Sequence, residues 1–411
     1  MEPVDVIVVG AGLAGLRAAQ VLNANGRSVL VLERAPVIGG RLASVTVDGY
    51  VLDEGFQLVN PAYPELVATG VGGDTDLRPF PAIVRYVDHD TERILTLADP
   101  RASWRDALGS REVSRLDLAR FAGLSLRAAV EPVSAIRRRR DESTRAALAR
   151  YGLSTGFVEE IVRPFLRGAL LDDELETSWR YTQLLLRSFV RGRPGTYPTG
   201  VAALPAALAA RLGDTTFRLG EAATAIDATS VTTSRETYRA RRVIVATDAS
   251  SARELVGAPP VRWRAQTTWW LATPRLEDGA VLRLVRGAGQ LASALDVSAV
   301  APERARPGHS LVAAAATGVA EDTSDTSVRE TIARLYGLSV ADVEVVATSA
   351  VSRALVEAPA PLSLSRPSVW GDVVLAGDYL QTPSIQGALV SGRRAAEAVL
   401  HRAVIGSVSR D

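Results

Sequence analysis

Three glycines near the start of the chain, and one acid after them, have the spacing of a nucleotide-binding site. Gly10, Gly12 and Gly15 form a Gly-x-Gly-x-x-Gly pattern, and Glu33 follows them. The first glycine permits a tight turn, the second lets the backbone approach a pyrophosphate, and the third lets a helix pack closely on a strand. A carboxylate at Glu33 can accept hydrogen bonds from ribose hydroxyls and would repel a 2′-phosphate, which disfavours NADP. These residues predict dinucleotide binding and leave NAD and FAD as alternatives.

A second group of residues that could bind a ligand is Gly39, Gly40 and Arg41, in the stretch VIGGR. Two glycines allow the backbone to lie close to a ligand, and an arginine offers a fork of donors that suits a phosphate. The same residues also fit a Gly-Gly hairpin with a solvated arginine. Their position just after the nucleotide motif favours a role at the pyrophosphate.

The elements around these residues supply the geometry that a dinucleotide needs. Residues 6–9 are a continuous β-branched run, which is typical of a parallel strand buried on both faces. The helix that follows places Leu16, Ala19 and Leu22 on one face, and residues 28–32 form a second strand. The pattern predicts a strand, a tight turn, a helix and a strand, in the order of a dinucleotide-binding unit.

The composition removes several kinds of chemistry. The chain of 411 residues contains no cysteine, and every one of its 47 basic residues is arginine. Disulfides, thiolate metal sites, thiol nucleophiles and cysteine-linked cofactors are therefore excluded, together with lysine Schiff bases and P-loop lysines. His89, His309 and His401 lack metal-ligand spacing, and we expect them to be exposed or structural. We expect no metal site.

Charge and hydropathy are typical of an ordinary globular protein. Hydrophobic residues make up 47% and charged residues 23% of a chain that is long enough for two domains. The net charge of +1 gives no electrostatic reason to expect a nucleic-acid partner. The sequence has no run of about 18 apolar residues, and the N-terminus enters a strand without a signal-peptide pattern. We expect a cytoplasmic protein.

Several segments make the chain resemble a known family. The stretch ERAPVIGGRLAS is similar to the Gly-Gly-Arg turn of flavin enzymes in the amine oxidase and phytoene desaturase superfamily. Residues 51–60, VLDEGFQLVN, resemble the segment that passes beside the flavin ring. Residues 370–400 resemble the last strand, loop and helix of the family. Within the superfamily, DEGFQ, NPAYPEL and PSIQGALVSGRRAA look more like the phytoene-dehydrogenase-related oxidoreductases than the true amine oxidases.

The resemblance implies a non-covalently bound FAD and assigns residues to it. Gly55 would allow close approach to the ring, with Gln57 and Leu58 facing it, and Asp378 would bind the ribityl or phosphate part. The N-terminus of the last helix would stabilise an anionic reduced flavin through the positive end of its dipole. The backbone of Ala223 falls where the family contacts the adenine, although a plain β meander fits that residue equally well. The implied cofactor-binding residues are Gly10, Gly12, Leu13, Ala14, Gly15, Glu33, Arg34, Gly40, Arg41, Gly55, Gln57, Leu58, Ala223, Gly377, Asp378, Ser384, Ile385, Gln386 and Ala388.

The fold class that follows from the resemblance is α/β, with a discontinuous Rossmann-like FAD-binding domain and an inserted α+β substrate domain. The FAD-binding domain would consist of residues 1–80, 191–255 and 366–411, and the substrate-binding domain of residues 81–190 and 256–365. The pattern of residues predicts helices from residue 116 to 190, short alternating strands from 261 to 317, and a helix over 326–337.

The activity implied by the resemblance is that of a dehydrogenase or desaturase, which moves a hydride from a substrate carbon to flavin N5. Amine oxidases of the superfamily commonly use a lysine to hold water at N5. Because this chain has no lysine, amine oxidation is disfavoured and an apolar, isoprenoid-like or polycyclic small molecule is favoured as substrate. A redox-neutral flavin isomerase and a prenyl or lipid carrier without chemistry are the alternatives. Gln57, Tyr379 and Gln386 would lie near the ring, but no residue has the pattern of a catalytic base with its orienting partner, and the electron acceptor is not indicated.

Three stretches in the insertions have more than one interpretation. Residues 136–145, IRRRRDESTR, could contact a membrane or another polyanion at the periphery, although a solvated helix face is favoured. Trp263, Trp269 and Trp270 could line an aromatic substrate slot or pack in the core, and adjacent residues in a strand face opposite ways. Residues 170–178, LLDDELETS, fit a loop that caps a helix better than a metal site.

Overall fold

The structure, a computed structural model, describes residues 4–73, 75–98, 113–213, 215–277, 280–287, 291–320, 323–364, 366 and 368–408. Its strands, in chain order, are β1 (Val4–Val9), β2 (Val29–Glu33), β3 (Ser44–Val47), β4 (Tyr50–Asp53), β5 (Arg78–Pro79), β6 (Ile83–Asp88), β7 (Ile94–Ala98), β8 (Gly195–Thr196), β9 (Thr216–Leu219), β10 (Ala223–Ile226), β11 (Ser230–Thr233), β12 (Thr237–Val245), β13 (Trp263–Pro274), β14 (Leu282–Arg286), β15 (Leu291–Asp296), β16 (His309–Thr317), β17 (Glu344–Val356), β18 (Val369–Trp370) and β19 (Val373–Leu375). Its helices are α1 (Leu13–Ala24), α2 (Pro64–Thr69), α3 (Arg115–Val130), α4 (Val133–Arg138), α5 (Thr144–Arg150), α6 (Thr155–Phe157), α7 (Arg163–Leu170), α8 (Trp179–Arg191), α9 (Ala203–Ala209), α10 (Ala249–Val256), α11 (Asp325–Tyr336) and α12 (Ile385–Val408), with a π-helical segment, Val158–Val162, between α6 and α7. The α/β class predicted from the sequence is confirmed.

The first of two large sheets has a parallel core in the strand order β9-β2-β1-β12-β19. The hairpin β10–β11 extends it antiparallel from the first half of β12, and β18 pairs antiparallel with β19. β1 and β2 consist largely of valine, isoleucine and leucine, because their alternate side chains are buried on both faces of the sheet. One face packs on α1 and α12, and the other on α10 and the hairpin. Segments from the beginning, middle and end of the chain therefore meet in one sheet.

Helices α1 and α12 pack against each other on this sheet. A Cβ added to Gly392 of α12 would lie 2.1 Å from the carbonyl oxygen of Ala14, so only glycine fits there. On the other side of α1, a Cβ added to Gly15 would lie 2.0 Å from the carbonyl oxygen of Gly10. Two glycines thus set the depth at which α1 lies between the turn after β1 and the last helix.

The second large sheet has seven strands in the order β17-β13-β16-β15-β14-β6-β7. Its pairs are antiparallel except β14 and β6, which run parallel. Trp269 and Trp270 of β13 are each 1% exposed and belong to hydrophobic cores on opposite faces of the sheet. Trp269 packs in the cluster that contains Val328 and Ile332 of α11, and Trp270 in the cluster that contains Tyr50. The interpretation of this pair as core residues is confirmed.

Residues 115–191 form the helices α3 to α8, as the pattern of residues predicted. Serine side chains cap four of these helices by accepting a backbone N–H of the first turn, which stabilises the helix start. The capping residues are Ser114, Ser143, Ser154 and Ser178. Ser178 ends the acidic stretch 170–178, so its interpretation as a loop that caps a helix is confirmed.

The other predictions for the insertions also agree with the structure, with small differences in bounds. Strands β13 to β16 occupy the segment predicted to contain short strands, but β13 runs for 12 residues because it pairs with a neighbour on each side. Helix α11 covers Asp325–Tyr336, one residue earlier than predicted. In the part of the chain that the structure describes, no helix is both long enough and apolar enough to cross a bilayer.

Candidate functional site

The ends of four parallel strands lie along one edge of the first sheet. β1 is followed by Gly10, β2 ends at Glu33, β12 is followed by Asp248, and β19 is followed by Gly377 and Asp378. Because parallel strands point the same way, residues from both ends of the chain meet at this edge. The carboxyl edge is where open α/β sheets bind their ligands.

The turn after β1 leaves space beside the start of a helix. Gly10 has a φ of +108°, a conformation that favours glycine. A Cβ added to Gly12, in contrast, would meet no described atom within 4 Å. α1 begins just after Gly12 without a cap from any described side chain, although Leu13, Ala14 and Gly15 are buried. A buried helix start with free space beside it fits an anion such as a pyrophosphate.

Glu33 is buried at the end of β2 and bonds to the loops on either side. Its Oε2 atom accepts the N–H of Ala11, and its Oε1 atom accepts the N–H of Ala35, each at 2.8 Å. These bonds hold the carboxylate beside the glycine turn, and each oxygen keeps a second lone pair for a ribose hydroxyl. Arg34 next to it is largely exposed, 4.0 Å from the carboxylate of Asp248.

The segment before β10 runs along the end of β2. The N–H of Gly220 donates to the carbonyl of Ala35 and the N–H of Glu221 to the carbonyl of Glu33, each at 2.8 Å. Ala223 starts β10 just after this contact, half-buried. The structure therefore brings Ala223 to the Glu33 end of the site, within a β meander.

Gly39 and Gly40 bring the next loop onto the glycine turn. The N–H of Gly39 donates to the carbonyl of Ala11 at 2.9 Å, and Gly39 pairs with Gly12 in an isolated bridge. Gly40 has a φ of +59°, and a Cβ there would lie 3.4 Å from Cα of Gly12. The alternative of a hairpin with a solvated arginine is wrong, because this loop lies against the nucleotide motif.

Arg41 and Asp378 form an ion pair that joins the second motif to the last. One Nη atom of Arg41 donates to Oδ1 of Asp378 at 2.6 Å, and the other donates to the carbonyl of Ala354 at 3.1 Å. Burial by itself would lower the pKa of Arg41, but the Asp378 carboxylate outweighs this effect and holds that pKa above its usual value. The charged guanidinium also lies 5.6 Å from the ring centre of Trp263.

Gly55 lies in a crowded bend after β4. It has a φ of +77°, and a Cβ there would lie 3.0 Å from Oε1 of Gln266, which also accepts the N–H of Phe56. The Nε2 atom of Gln57 donates to the carbonyl of Arg41 at 2.7 Å. The bend is thus tied to the arginine loop on one side and to β13 on the other.

A buried ion pair anchors this bend from below. Asp53 and Arg304 lie 3.0 Å apart, and each side chain is 1% exposed. Asp53 also accepts the N–H of Val201 at 2.9 Å, and Arg304 donates to the carbonyl of Val51 at 3.0 Å. Leu58 packs against the hydrophobic core of the same region. Asp53, the acid two positions before Gly55, is therefore held in the interior as a structural charge.

The last motif starts α12 with its own cap. Oγ of Ser384 accepts an N–H of the first turn at 3.1 Å. Ile385 and Ala388 are half-buried and pack on the core that surrounds α1. Oε1 of Gln386 accepts the N–H of Glu65 at 3.0 Å, so this side chain is directed toward α2.

Tyr379 carries a buried hydroxyl that has no hydrogen-bond partner among the described residues. Its ring lies so close to Gly377 that a Cβ there would be 2.2 Å from a ring carbon. Burial raises the pKa of Tyr379, and the charges of Asp378 and Asp248 raise it further. The protonated phenol is a donor that a ligand can use.

A cavity of about 110 Å³ lies between α8, α12 and residues 62–64. Leu184, Leu185 and Val390 give it apolar walls, and the residues at the start of α12 give it a polar end. The polar residues of this end are Gln381, Thr382, Ser384 and Gln386. The cavity therefore connects the last cofactor motif with the inserted helices.

The buried Tyr181 and the half-buried Tyr63 also line this cavity. The hydroxyl of Tyr181 donates to the carbonyl of Pro383 at 2.7 Å, which ties α8 to the loop before α12. Burial raises the pKa of Tyr63 to about 12 and raises the pKa of Tyr181 as well. Both phenols are protonated at neutral pH, so neither can serve as a base. The proton of Tyr181 is already donated to Pro383, so Tyr63 is the one of the two that can donate to a ligand.

The parallel sheet, the open helix start and the loops that close on it define a dinucleotide-binding α/β protein whose cradle is built from three distant segments. A family model described as "Flavin containing amine oxidoreductase" matches residues 13–400. The chain belongs to this family, which consists of FAD-dependent oxidoreductases.

Shorter stretches of the chain are similar to curated relatives. The chain is 55% identical over 64 residues to putrescine oxidase of Kocuria rosea, a match that covers 16% of this chain and 13% of the relative. It is 31% identical over 126 residues to chloroplastic protoporphyrinogen oxidase of Nicotiana tabacum, covering 30% and 20%. It is 54% identical over 54 residues to phytoene dehydrogenase of Streptomyces griseus, covering 13% and 11%. Each match spans a fifth of the relative's length or less.

The fold agrees with a solved relative over nearly its whole length. The structure of cyclohexylamine oxidase from Brevibacterium oxydans matches with a TM-score of 0.69 and covers 97% of this chain and 99% of that one. The sequence identity is 18%, so this likeness shows the fold alone.

Sequence reasoning missed three parts of the site. Gln266 and the partner of Asp53 come from segments far along the chain, and no local spacing points to them. Tyr63 lies in the stretch NPAYPEL, which carried no sign of a role for the phenol, and Tyr181 lies in no motif. Asp248 could have been found, because it follows the buried run VIVA at the end of a parallel strand; it caps α10 and lies 3.6 Å from Arg353.

Proposed function

We propose that the protein is an FAD-dependent oxidoreductase of the dehydrogenase type, which moves a hydride from a substrate carbon to flavin N5. The substrate that the site fits is an apolar small molecule, isoprenoid-like or polycyclic. The observation that carries the proposal is the meeting of the glycine turn, the Arg41 loop and the Asp378 segment at one sheet edge.

The residues of this edge fit FAD in a definite order. Glu33 would accept the ribose hydroxyls of the adenosine, and the first amides of α1 would hold the pyrophosphate beside Gly12. Arg41 and Asp378 would bind the middle of the cofactor, and Gly55 would let the backbone approach the ring. The other cofactor-binding residues that we assigned from the sequence remain proposals. When bound, FAD supplies N5 as the hydride acceptor.

The residues around the cavity support an apolar substrate and a reaction without a strong base. Leu184, Leu185 and Val390 give the cavity apolar walls, which would suit an apolar substrate and a hydride transfer. Tyr63 and Tyr181 keep their protons at neutral pH. Because Tyr181 already donates to the carbonyl of Pro383, Tyr63 is the phenol that would orient a substrate by donation. The chain has no lysine, which disfavours amine oxidation. We assign no electron acceptor.

The names of some relatives agree with this choice of substrate. Besides the phytoene dehydrogenase of Streptomyces griseus, the chain is similar over 68 residues to 4,4'-diapolycopene oxygenase of a Methylomonas species. Both names describe enzymes of long isoprenoid molecules. The similarity covers a small part of the chain, so it supports the proposal without deciding it.

We also propose a peripheral contact with anionic lipid, made by α3. Leu116, Leu126 and Val130 of this helix are 60%, 57% and 77% exposed. Arg115 at the start of α3 and Arg138 at the end of the next helix, α4, are exposed too, so this part of the chain offers both apolar and cationic groups to solvent. Part of the run 136–145 is engaged within the protein, because Arg139 pairs with Glu131 and Arg145 with Glu176.

The two-domain division of the chain also remains a proposal. Residues 1–80, 191–255 and 366–411 would form the FAD-binding domain, and 81–190 and 256–365 the substrate-binding domain. The parallel sheet draws its strands from the first set and the seven-stranded sheet from the second, which supports the division.

The visible spectrum of the purified protein tests the cofactor, and anaerobic titration tests the reaction. We expect flavin bands that denaturation releases into solution, as for a non-covalently bound FAD; a link through cysteine is excluded because the chain has none. A colourless protein that does not take up FAD would contradict the proposal. Anaerobic bleaching by an isoprenoid substrate supports dehydrogenation, whereas conversion of the substrate without bleaching would indicate an isomerase.

A further inference from the structure

The mouth of the cavity is strongly basic. Arg137 of α4 and Arg187 and Arg191 of α8 line it beside the apolar walls. Arg187 donates to the carbonyl of Ala128 at 2.8 Å, and Arg191 to the carbonyl of Ala129 at 2.9 Å. These bonds to the end of α3 fix both guanidinium groups while leaving their charges unneutralised by any described carboxylate.

Arg137 has no carboxylate partner among the described residues. Burial lowers the pKa of Arg137, and the nearby charges of Arg394 and Arg393 lower it further. The buried carboxylate of Glu65 is already engaged, since it pairs with Arg17 at 2.7 Å and with Arg393 at 3.0 Å. Arg137 is exposed and lines the cavity. The charges of Arg393 and Arg394 nearby add to its positive charge.

We propose that this cavity takes an apolar molecule with a terminal carboxylate, and that Arg137 binds the carboxylate. The inference rests on the proposed function, because it treats the cavity as the substrate site. The apolar part would pack on Leu184, Leu185 and Val390, and the carboxylate would receive the planar fork of an arginine that lacks an acidic partner. An ammonium group at the same place would meet three like charges, so the mouth selects against amines.

Three ligands with the same eight-carbon chain test the proposal: octanoate, octan-1-ol and octylamine. Isothermal titration calorimetry of the yellow holoprotein measures their dissociation constants. We expect octanoate to bind at least about tenfold more tightly than octan-1-ol, as is usual for a hydrogen bond to a charged group, and octylamine to bind most weakly.

Two variants on the same helix locate the effect. Arg137→Gln should remove most of the preference for octanoate and change the affinity for octan-1-ol by less than about twofold. Arg138→Gln is the matched control, because Arg138 is exposed like Arg137 but does not line the cavity. Its affinities for the three ligands should equal those of the wild type. Arg137→Lys keeps the charge without the fork and should retain part of the preference.

Equal affinities for octanoate and octan-1-ol in a yellow protein would overturn this inference and leave the FAD proposal intact. The inference also fails if the Arg137→Gln variant keeps the full preference for octanoate over octan-1-ol. It fails as well if the protein binds anionic vesicles but shows no preference for octanoate over octan-1-ol. A colourless protein that cannot take up FAD would overturn the proposed function and this inference together.

Discussion

Replacing Gly12 by alanine should separate the stability of the fold from the binding of the cofactor. The added Cβ would meet no described atom within 4 Å, and the backbone at Gly12, with φ −75° and ψ 176°, is open to alanine. Gly12 is the N-cap of α1, where alanine is somewhat poorer than glycine. We expect the free energy of unfolding of the apoprotein to fall by no more than about 1 kcal/mol.

The effect on FAD should be much larger than the effect on stability. The methyl group would occupy the space in which we place the pyrophosphate, so the phosphate would move away from the amides of α1. A hydrogen bond to a charged group contributes about 1.5–3 kcal/mol, and the loss of one such bond weakens FAD binding by about ten- to a hundredfold. Titration of the apoprotein with FAD, followed by flavin fluorescence, measures this change.

Gly123→Ala in α3 is the matched control. A Cβ at Gly123 also meets no described atom within 4 Å, but this position is in the interior of an exposed helix, far along the chain from the glycine turn. We expect the free energy of unfolding of this variant, measured in urea, to rise by about 0.5–1 kcal/mol, and its affinity for FAD to equal that of the wild type. A Gly12→Ala protein that binds FAD with unchanged affinity would refute the placement of the pyrophosphate at this turn.

Three further perturbations test other parts of the structure. Asp378→Asn leaves the charge of Arg41 without its partner. Because that arginine is 35% exposed, we expect the free energy of unfolding in urea to fall by about 1–3 kcal/mol. Asp372→Asn, on an exposed turn, should change this free energy hardly at all. Burial raises the pKa of Tyr63 from 10.0 to about 12, so the folded state holds the phenol proton more tightly than the unfolded state does. The stability that this proton contributes is fully present below pH 10 and is lost as the pH rises through 12. Between pH 9 and pH 11.5, the free energy of unfolding should therefore fall more for the wild type than for Tyr63→Phe. Equal falls would contradict the raised pKa of Tyr63. Leu126→Asp should reduce sedimentation with vesicles of anionic lipid by about tenfold, whereas Val45→Asp, at an equally exposed apolar position on β3, should not.

The local parts of the site could be predicted because short-range spacing determines their geometry. Gly10, Gly12 and Gly15 lie within one turn and one helix start, and Glu33 ends the next strand, so the sequence distances correspond directly to positions in space. The period of two along a strand likewise predicted that Trp269 and Trp270 face opposite ways. Which elements cover each face of the sheet cannot be predicted from this spacing, because those elements lie elsewhere in the chain.

The long-range partners could not be predicted from spacing. Arg41 bonds to Asp378, 337 positions later, and Asp53 pairs with Arg304 from a segment with no motif. Both pairs depend on how elements far apart along the chain pack together. Arg137 belongs to a run of four arginines that the sequence presents as equivalent, and only the position of α4 shows that this one faces a cavity.

The cofactor site that we propose is complete only when Asp378 has been synthesised and pairs with Arg41. The glycine turn leaves the ribosome early, but its neighbours in the sheet, β12 and β19, and the helix that packs on α1 are made much later. At about 5–20 residues per second, the 337 positions between the two charges take on the order of 20–70 seconds to synthesise. Throughout that interval Arg41 lacks its acidic partner, so we expect the proposed FAD site to be completed late in the synthesis of the chain.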